Sequence, residues 1–213
     1  MEDGIIYRHE NTGYMIIGRD DTLISKNVVL PQEINGTPVV GISKAAFLAS
    51  KIETILIPDS VFLVDVSAFE NSEELTQVEF YPADAPKVFL HIWDRAFQNC
   101  AKLQTLTNQT QLILCRHYVF QDCLSLIKIQ AQFASLDKYV FKNSGVQTVQ
   151  IANYGILSQN SFSCSKISEI HFAGKVDASK TSLKAIQAKR WVCTKDFNHL
   201  DAVYNGVNIH IKD

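Results

Sequence analysis

A phenylalanine recurs six times in one local setting, at Phe47, Phe69, Phe97, Phe120, Phe141 and Phe162. The gaps between them are 22, 28, 23, 21 and 21 residues. Self-similarity at a period of about 20–50 residues marks stacked repeats, not a closed globule. Each unit is then too short to bury its own apolar face, and its neighbours must supply the core.

Every one of these Phe keeps the same company. Three residues later stands a small residue: Ser50, Ser72, Cys100, Cys123, Ser144 and Ser165. Five residues earlier stands an apolar one: Ile42, Val64, Ile92, Cys115, Leu136 and Leu157. Eight earlier stands another: Val39, Val61, Phe89, Leu112, Phe133 and Tyr154. Beyond the small residue come Ile52, Leu75, Leu103, Leu126, Val146 and Ile167, and three further on Ile55, Val78, Leu106, Ile129, Val149 and Ile170. Ile55-Leu56-Ile57, Val149-Gln150-Ile151 and Ile170-His171-Phe172 alternate as short strands do. One strand per unit predicts a parallel sheet along one side of the stack. The Phe column is expected to fill the interior, ring on ring, and the Ser/Cys column to mark a turn with little room.

The segments Ile57-Pro58-Asp59-Ser60-Val61, Val40-Gly41-Ile42-Ser43-Lys44-Ala45-Ala46-Phe47 and Arg95-Ala96-Phe97-Gln98-Asn99-Cys100-Ala101-Lys102-Leu103 resemble the BspA-type leucine-rich repeat, over roughly residues 28–172. The resemblance implies a curved solenoid that binds other proteins, often at microbial surfaces. Val140-Phe141 and Ser161-Phe162 depart from it, standing where the family has Ala-Phe. The expected fold is a leucine-rich-repeat solenoid, mainly β, with short strands stacked in one parallel sheet. It forms one continuous domain: an N-terminal cap over 1–27, six repeats over 28–172 and a C-terminal cap over 173–213.

The ends break the period. Ile5-Ile6-Tyr7-Arg8-His9 and Tyr14-Met15-Ile16-Ile17 read as a hairpin around Asn11-Thr12-Gly13. At the other end, Leu183, Ile186, Ala188, Arg190 and Trp191 suit a helix capped by Ser182. Tyr204-Asn205-Gly206-Val207 then reads as a turn and Val207-Asn208-Ile209-His210-Ile211 as a strand. The long gap between Phe69 and Phe97 places its excess near Tyr81-Pro82-Ala83-Asp84-Ala85-Pro86. Two prolines there favour an ordered loop. Insertions in repeat proteins map to one face, which makes Tyr81 and Asp84 candidate binding residues.

Composition narrows the function. With 46% hydrophobic and 20% charged residues the chain is a folding sequence. A net charge of -2 removes the electrostatic footprint of a nucleic-acid binder. No apolar run is long enough to span a membrane as a helix. Met1-Glu2-Asp3-Gly4 is not the start of a secretory signal; either the protein stays inside the cell or a signal has been removed. The five cysteines, Cys100, Cys115, Cys123, Cys164 and Cys193, are odd in number and largely occupy repeat columns. They read as buried thiols acting as small hydrophobes, with a Cys100–Cys123 bridge between adjacent turns as the alternative.

No phosphate loop, His-Glu-x-x-His or paired Cys-x-x-Cys is present, and no cofactor or metal is expected. Cys115 with His117, and Cys164 with His171, make poor nucleophile and metal sets. The catalytic alternative is an unrecognised site around Trp191, Cys193, Asp196 and His199. Asn108-Gln109-Thr110 and Asn35-Gly36-Thr37 match glycosylation sequons, the second disfavoured by Pro38.

With the apolar columns inward, two outward columns line the sheet. One is Thr54, Gln77, Thr105, Lys128, Thr148 and Glu169; the other is Leu56, Glu79, Thr107, Gln130, Gln150 and His171. Thr and Gln fill seven of these twelve positions. They suit any exposed sheet, and they also suit a broad hydrogen-bonding surface for an extended partner. Such a face carries too little charge to steer a charged ligand, so the expected partner is a protein. A passive scaffold within a larger surface protein is the remaining alternative.

Overall fold

The computed structural model describes residues 4–82, 88–158, 160–163, 165–178, 186, 188–196, 198 and 208–212. Among them every regular element is a strand. The chain winds as a β-solenoid, and each turn contributes to two parallel ladders and one corner. The first ladder takes β3 (Asn27–Val29), β6 (Thr54–Pro58) and β8 (Gln77–Tyr81). It runs on through the opening halves of β10 (Thr105–Cys115), β11 (Lys128–Leu136) and β12 (Thr148–Leu157). Beyond these lie β13 (Glu169–Phe172), β15 (Arg190–Thr194) and β16 (Asn208–Lys212). The second ladder takes β2 (Gly13–Arg19), β5 (Thr37–Ile42), β7 (Leu63–Val64) and β9 (Phe89–Ile92). The closing halves of β10, β11 and β12 and then β14 (Val176–Ala178) continue it. The expected hairpin is present: β1 (Ile5–Glu10) pairs antiparallel with β2. A second small hairpin joins β4 (Glu33–Ile34) to β5.

The corner carries the Phe column. Rings of Phe47 and Phe69 stack at 4.9 Å and 4°, Phe69 and Phe97 at 5.0 Å and 4°, and Phe97 and Phe120 at 5.5 Å and 11°. Phe120, Phe141 and Phe162 continue at 5.6 and 5.9 Å. Offset-stacked aromatic pairs contribute about 0.5–1.5 kcal/mol beyond area burial. The backbone is tied turn to turn at the same place. The Phe47 amide donates to the Ala68 carbonyl at 2.8 Å, Phe69 to Ala96 at 2.7 Å, Phe97 to Val119 at 3.0 Å and Phe120 to Val140 at 2.8 Å. Phe141 donates to Ser161 in the same way, so the corner is kept where Val or Ser stands in place of Ala before Phe.

Two residues before each Phe, and two residues after each of Phe47, Phe69, Phe97, Phe120 and Phe141, the backbone enters the left-handed region. Before it stand Ala45, Ser67, Arg95, Tyr118, Tyr139 and Asn160; after it stand Ala49, Asn71, Asn99, Asp122 and Asn143. Asn and Asp tolerate that conformation best among non-glycine residues, which accounts for the later column. The Ser/Cys column is small and also donates: Ser72 Oγ to the Phe47 carbonyl at 2.8 Å, Cys100 Sγ to Phe69 at 3.1 Å and Cys123 Sγ to Phe97 at 3.0 Å. Cys100, Cys115, Cys123 and Cys193 are free and buried, so the Cys100–Cys123 bridge is not formed. Cys164 lies outside the described residues.

Two expectations are corrected. The helix over Leu183–Trp191 does not form where it can be seen. Arg190 and Trp191 open β15, with Trp191 level with Ile170 and packed at 5.1 Å from Phe172. Pairing with β13 overrides local helix preference, and a buried Trp followed by Val suits a strand. Ser182, Leu183 and the turn over Tyr204–Val207 lie outside the described residues. The strand after them is present as β16. Second, the column eight residues before Phe is not uniformly inward. Phe89 is 45% and Tyr154 70% exposed, while Leu90 and Ile113 are buried. Where the strand alternates regularly, position eight faces away from positions seven and five, as at Phe89; Val39, Val61 and Phe133 are buried, Val39 and Phe133 beside register shifts and Val61 ahead of β7.

Before the first Phe corner lies the β1–β2 hairpin, which offers no matching row of amides. Arg19 supplies the donors: Nη1 reaches the Ala46 carbonyl at 3.0 Å and Nη2 the Leu48 carbonyl at 2.9 Å, with Nε on Asp21 at 2.6 Å. Its planar fork replaces a preceding turn.

Three outcomes follow. Phe97→Ala removes a ring stacked on both sides and costs about 3–5 kcal/mol, read from urea unfolding. Arg19→Ala costs about 1.5–3 kcal/mol in the same assay, and Arg19→Lys recovers only part, since a point charge cannot span two carbonyls. In a Cys164→Ser background, Ellman's reagent near neutral pH labels none of the four buried thiols of the folded chain and all of them after unfolding.

Candidate interaction surface

Strand pairing brings the outward columns into level rows. Thr54, Gln77, Thr105 and Lys128 stand side by side, as do Leu56, Glu79, Thr107 and Gln130. Further along, Thr148 is level with Glu169 and Gln150 with His171. Gln77, Lys128, Gln130 and Gln150 are exposed, and the other eight are half-buried. The strands run parallel and side chains alternate, so these twelve residues share one face. Charge collects at its far end, where Glu169 contacts His171 and lies 3.5 Å from Arg190.

The rows break once. Gln132, not Gln130, is level with Gln150. Between Thr107 and Leu112 β10 carries four residues where β11 carries one, Ala131. Between Ile151 and Ile156 β12 again carries four where β11 carries one, Ala134. The short strand therefore sits back between two longer ones. The result is a hollow of about 360 Å³ lined by Gln109, Thr110, Gln130, Gln132 and Gln150, among others. One wall is fixed from behind. Asn108 and Gln111 are buried and joined at 2.8 Å, and Gln111 Nε2 donates to the Asp59 and Val61 carbonyls at 3.1 and 2.9 Å. Asn108 is thus a turn-forming residue locked in the structure, and its sequon is not displayed. Asn35 and Gly36, with φ of 51° and 75°, turn the β4–β5 hairpin.

Gln130, Gln132, Gln150 and Thr110 as a set escaped sequence reasoning. The signal was the spacing from Ile129 to Phe133, which is shorter than from Leu106 to Leu112. A second exposed surface lies on the other ladder, where strand parity turns Phe89 outward. Phe89 and His91 of β9, with Trp93 directly after it, are all exposed on one side of the second ladder. Leu63, Leu112 and Leu114 flank them in register. Arg116 lies 6.0 Å over the Trp93 ring and 3.1 Å from Asp137.

The loop candidates separate. Tyr81 ends β8 and donates its hydroxyl to the Leu30 carbonyl at 2.6 Å; burial, then the nearby Asp59 carboxylate, raise its pKa. Asp84 lies outside the described residues.

The catalytic alternative finds little support. Burial pushes the Cys193 thiol up to about 11, whereas an activated nucleophile needs the reverse. Trp191 is buried, Asp196 is exposed, and His199 lies outside the described residues. Burial raises the Cys115 thiol well above its ordinary value, while His117 faces Asp94 at 3.3 Å. Among the described residues no group of three His, Cys, Asp or Glu could hold a metal, and no helix is long and apolar enough to cross a membrane.

The fold is shared with known proteins. The structure is similar to the leucine-rich repeat protein of T. pallidum, at 17% identity and a TM-score of 0.53, over 95% of this chain and 89% of that one. It is also similar to a leucine-rich cell surface protein from Faecalibacterium prausnitzii, at 12% identity and a TM-score of 0.52, over 100% of this chain and 94% of that one. No curated protein matches the sequence. The profile of the BspA type leucine rich repeat region matches residues 27–88, 40–126 and 90–189, in six copies. The chain belongs to the BspA-type leucine-rich repeat family.

Proposed function

We propose that this chain is a non-catalytic module that binds another protein through its sheet face, in adhesion or partner recognition. The observation that carries the reading is the pair of level outward rows, Thr54 to Lys128 and Leu56 to Gln130, on consecutive hydrogen-bonded strands. Such rows are held rigid by the ladder, so a partner binds without ordering the surface first. Near-neutral polar side chains on a fixed backbone offer register and hydrogen bonds, not electrostatic steering.

The exposed aromatic row on the second ladder supports a second location for the same function. Aromatic residues and Arg dominate the energetics of protein interfaces, and Phe89 and Trp93 are 45% and 44% exposed.

Affinity capture separates the two. The purified chain is run against lysate of its own source and against extracellular proteins, beside a Thr105→Arg/Gln130→Arg variant and a Phe89→Ser/Trp93→Ser variant, each with an unchanged circular dichroism spectrum. The sheet-face reading expects a partner that the first variant loses and the second keeps. The opposite pattern moves the site to the second ladder. Capture of nothing by any form favours a passive scaffold and sinks the binding reading.

A further inference from the structure

The recess at β11 continues along the solenoid. A second hollow of about 210 Å³ shares Gln132 and Gln150 with the first and reaches His171 and Thr194. Together they form one groove crossing from β10 to β15, along the stacking direction and across the strands.

The lining selects a ligand class. Among the described residues no Lys, Arg, Asp or Glu lines either hollow, so these linings offer neither an anion nor a cation a counter-charge. β11 lines the first hollow with Gln130, Ala131 and Gln132, too polar for a lipid tail, and the second hollow sets apolar Ile151, Phe172, Ala173 and Val192 beside Gln132, Gln150, His171 and Thr194. A carboxamide donates through its N–H groups and accepts through its oxygen, all in one plane. Neighbouring hydroxyls of a sugar ring present the same alternation. Parallel strands lie about 4.8 Å apart, close to the length of one ring in a linear glycan, so successive strands meet successive rings. A peptide fits less well. Its backbone pairs with strand edges, and here the groove lies on a face whose strands are already paired on both sides. The buried Asn108–Gln111 bond holds the Gln109–Thr110 tip in place without a ligand, which reduces the ordering cost of binding.

We infer that this groove is a saccharide site that takes a neutral, linear oligosaccharide along the stacking direction. The site does not depend on the protein-binding reading.

The test is calorimetric titration of the full chain with cellohexaose, maltohexaose and chitohexaose in turn. At least one binds with a Kd on the order of 1 mM or tighter, and added salt leaves that value unchanged, as for a neutral ligand. Gln130→Ala/Gln150→Ala weakens it by about tenfold or more with an unchanged melting temperature. If that variant does not fold, Gln132→Glu, a single exposed position common to both hollows, carries the same expected loss. The inference is overturned if none of the three binds at about 10 mM, if the substitutions leave affinity unchanged, or if only a neutral Ser/Gln peptide binds. Protein capture is run without glycan, so either reading can fail while the other stands.

Discussion

Phe on Phe is the contact that sets the pitch of this molecule. The stacked rings of Phe47, Phe69 and Phe97 stand 4.9 and 5.0 Å apart, close to the roughly 4.8 Å between hydrogen-bonded strands. Core and backbone thus demand the same rise per turn, and neither strains the other. Agreement between packing and local structure is what lets a repeat sequence choose one stack. Toward the C-terminal end the Phe141–Phe162 distance widens to 5.9 Å and Phe162 reaches 8% exposure. There the column gives way to Phe172 and Trp191, which meet at 44°.

The ring column needs a corner of fixed shape, and the backbone supplies it at a cost. Left-handed residues on both sides of Phe47, Phe69, Phe97, Phe120 and Phe141 cost about 1–2 kcal/mol apiece for an L-residue. The amides of Phe47, Phe69, Phe97, Phe120 and Phe141 offset that by pairing with the next turn. All of these amides point one way along the axis, so the stack has a carbonyl end. Arg19 closes that end, and its side chain is only 11% exposed. The Ser/Cys donors add a bond to the Phe carbonyls in several turns.

Much of this was legible because the core columns are chemically unmistakable. Six Phe in register could only be interior, and the Ser/Cys column could only be tight. What escaped was chemistry that looks like something else. Asn71, Asn99, Asp122 and Asn143 resemble ordinary surface residues until their φ values are known. Asn108 and Asn35 spell glycosylation sequons, yet one is a buried lock and the other a hairpin turn. Trp191 fits a helical stripe when read alone, but its neighbour in space is Ile170, about twenty positions away in the chain. Phe89 and Tyr154 share the apolar character of buried Val39 and Phe133, and only the local strand parity turns them outward.

The same parity explains where the distinctive surface arises. Identical turns would give identical rows, a face with no place better than another. Here β10 and β12 each carry four residues where β11 carries one, so the ladder slips at Ala131 against β10 and at Ala134 against β12. The slip withdraws one strand and leaves its amides at the bottom of a recess. Gln111 then donates to the Asp59 and Val61 carbonyls, and Asn108 accepts from the Thr110 and Gln111 amides of the bulge, which an apolar pair could not do. In this solenoid the repeats build the scaffold, and the shorter strand β11 between two longer ones builds the recess.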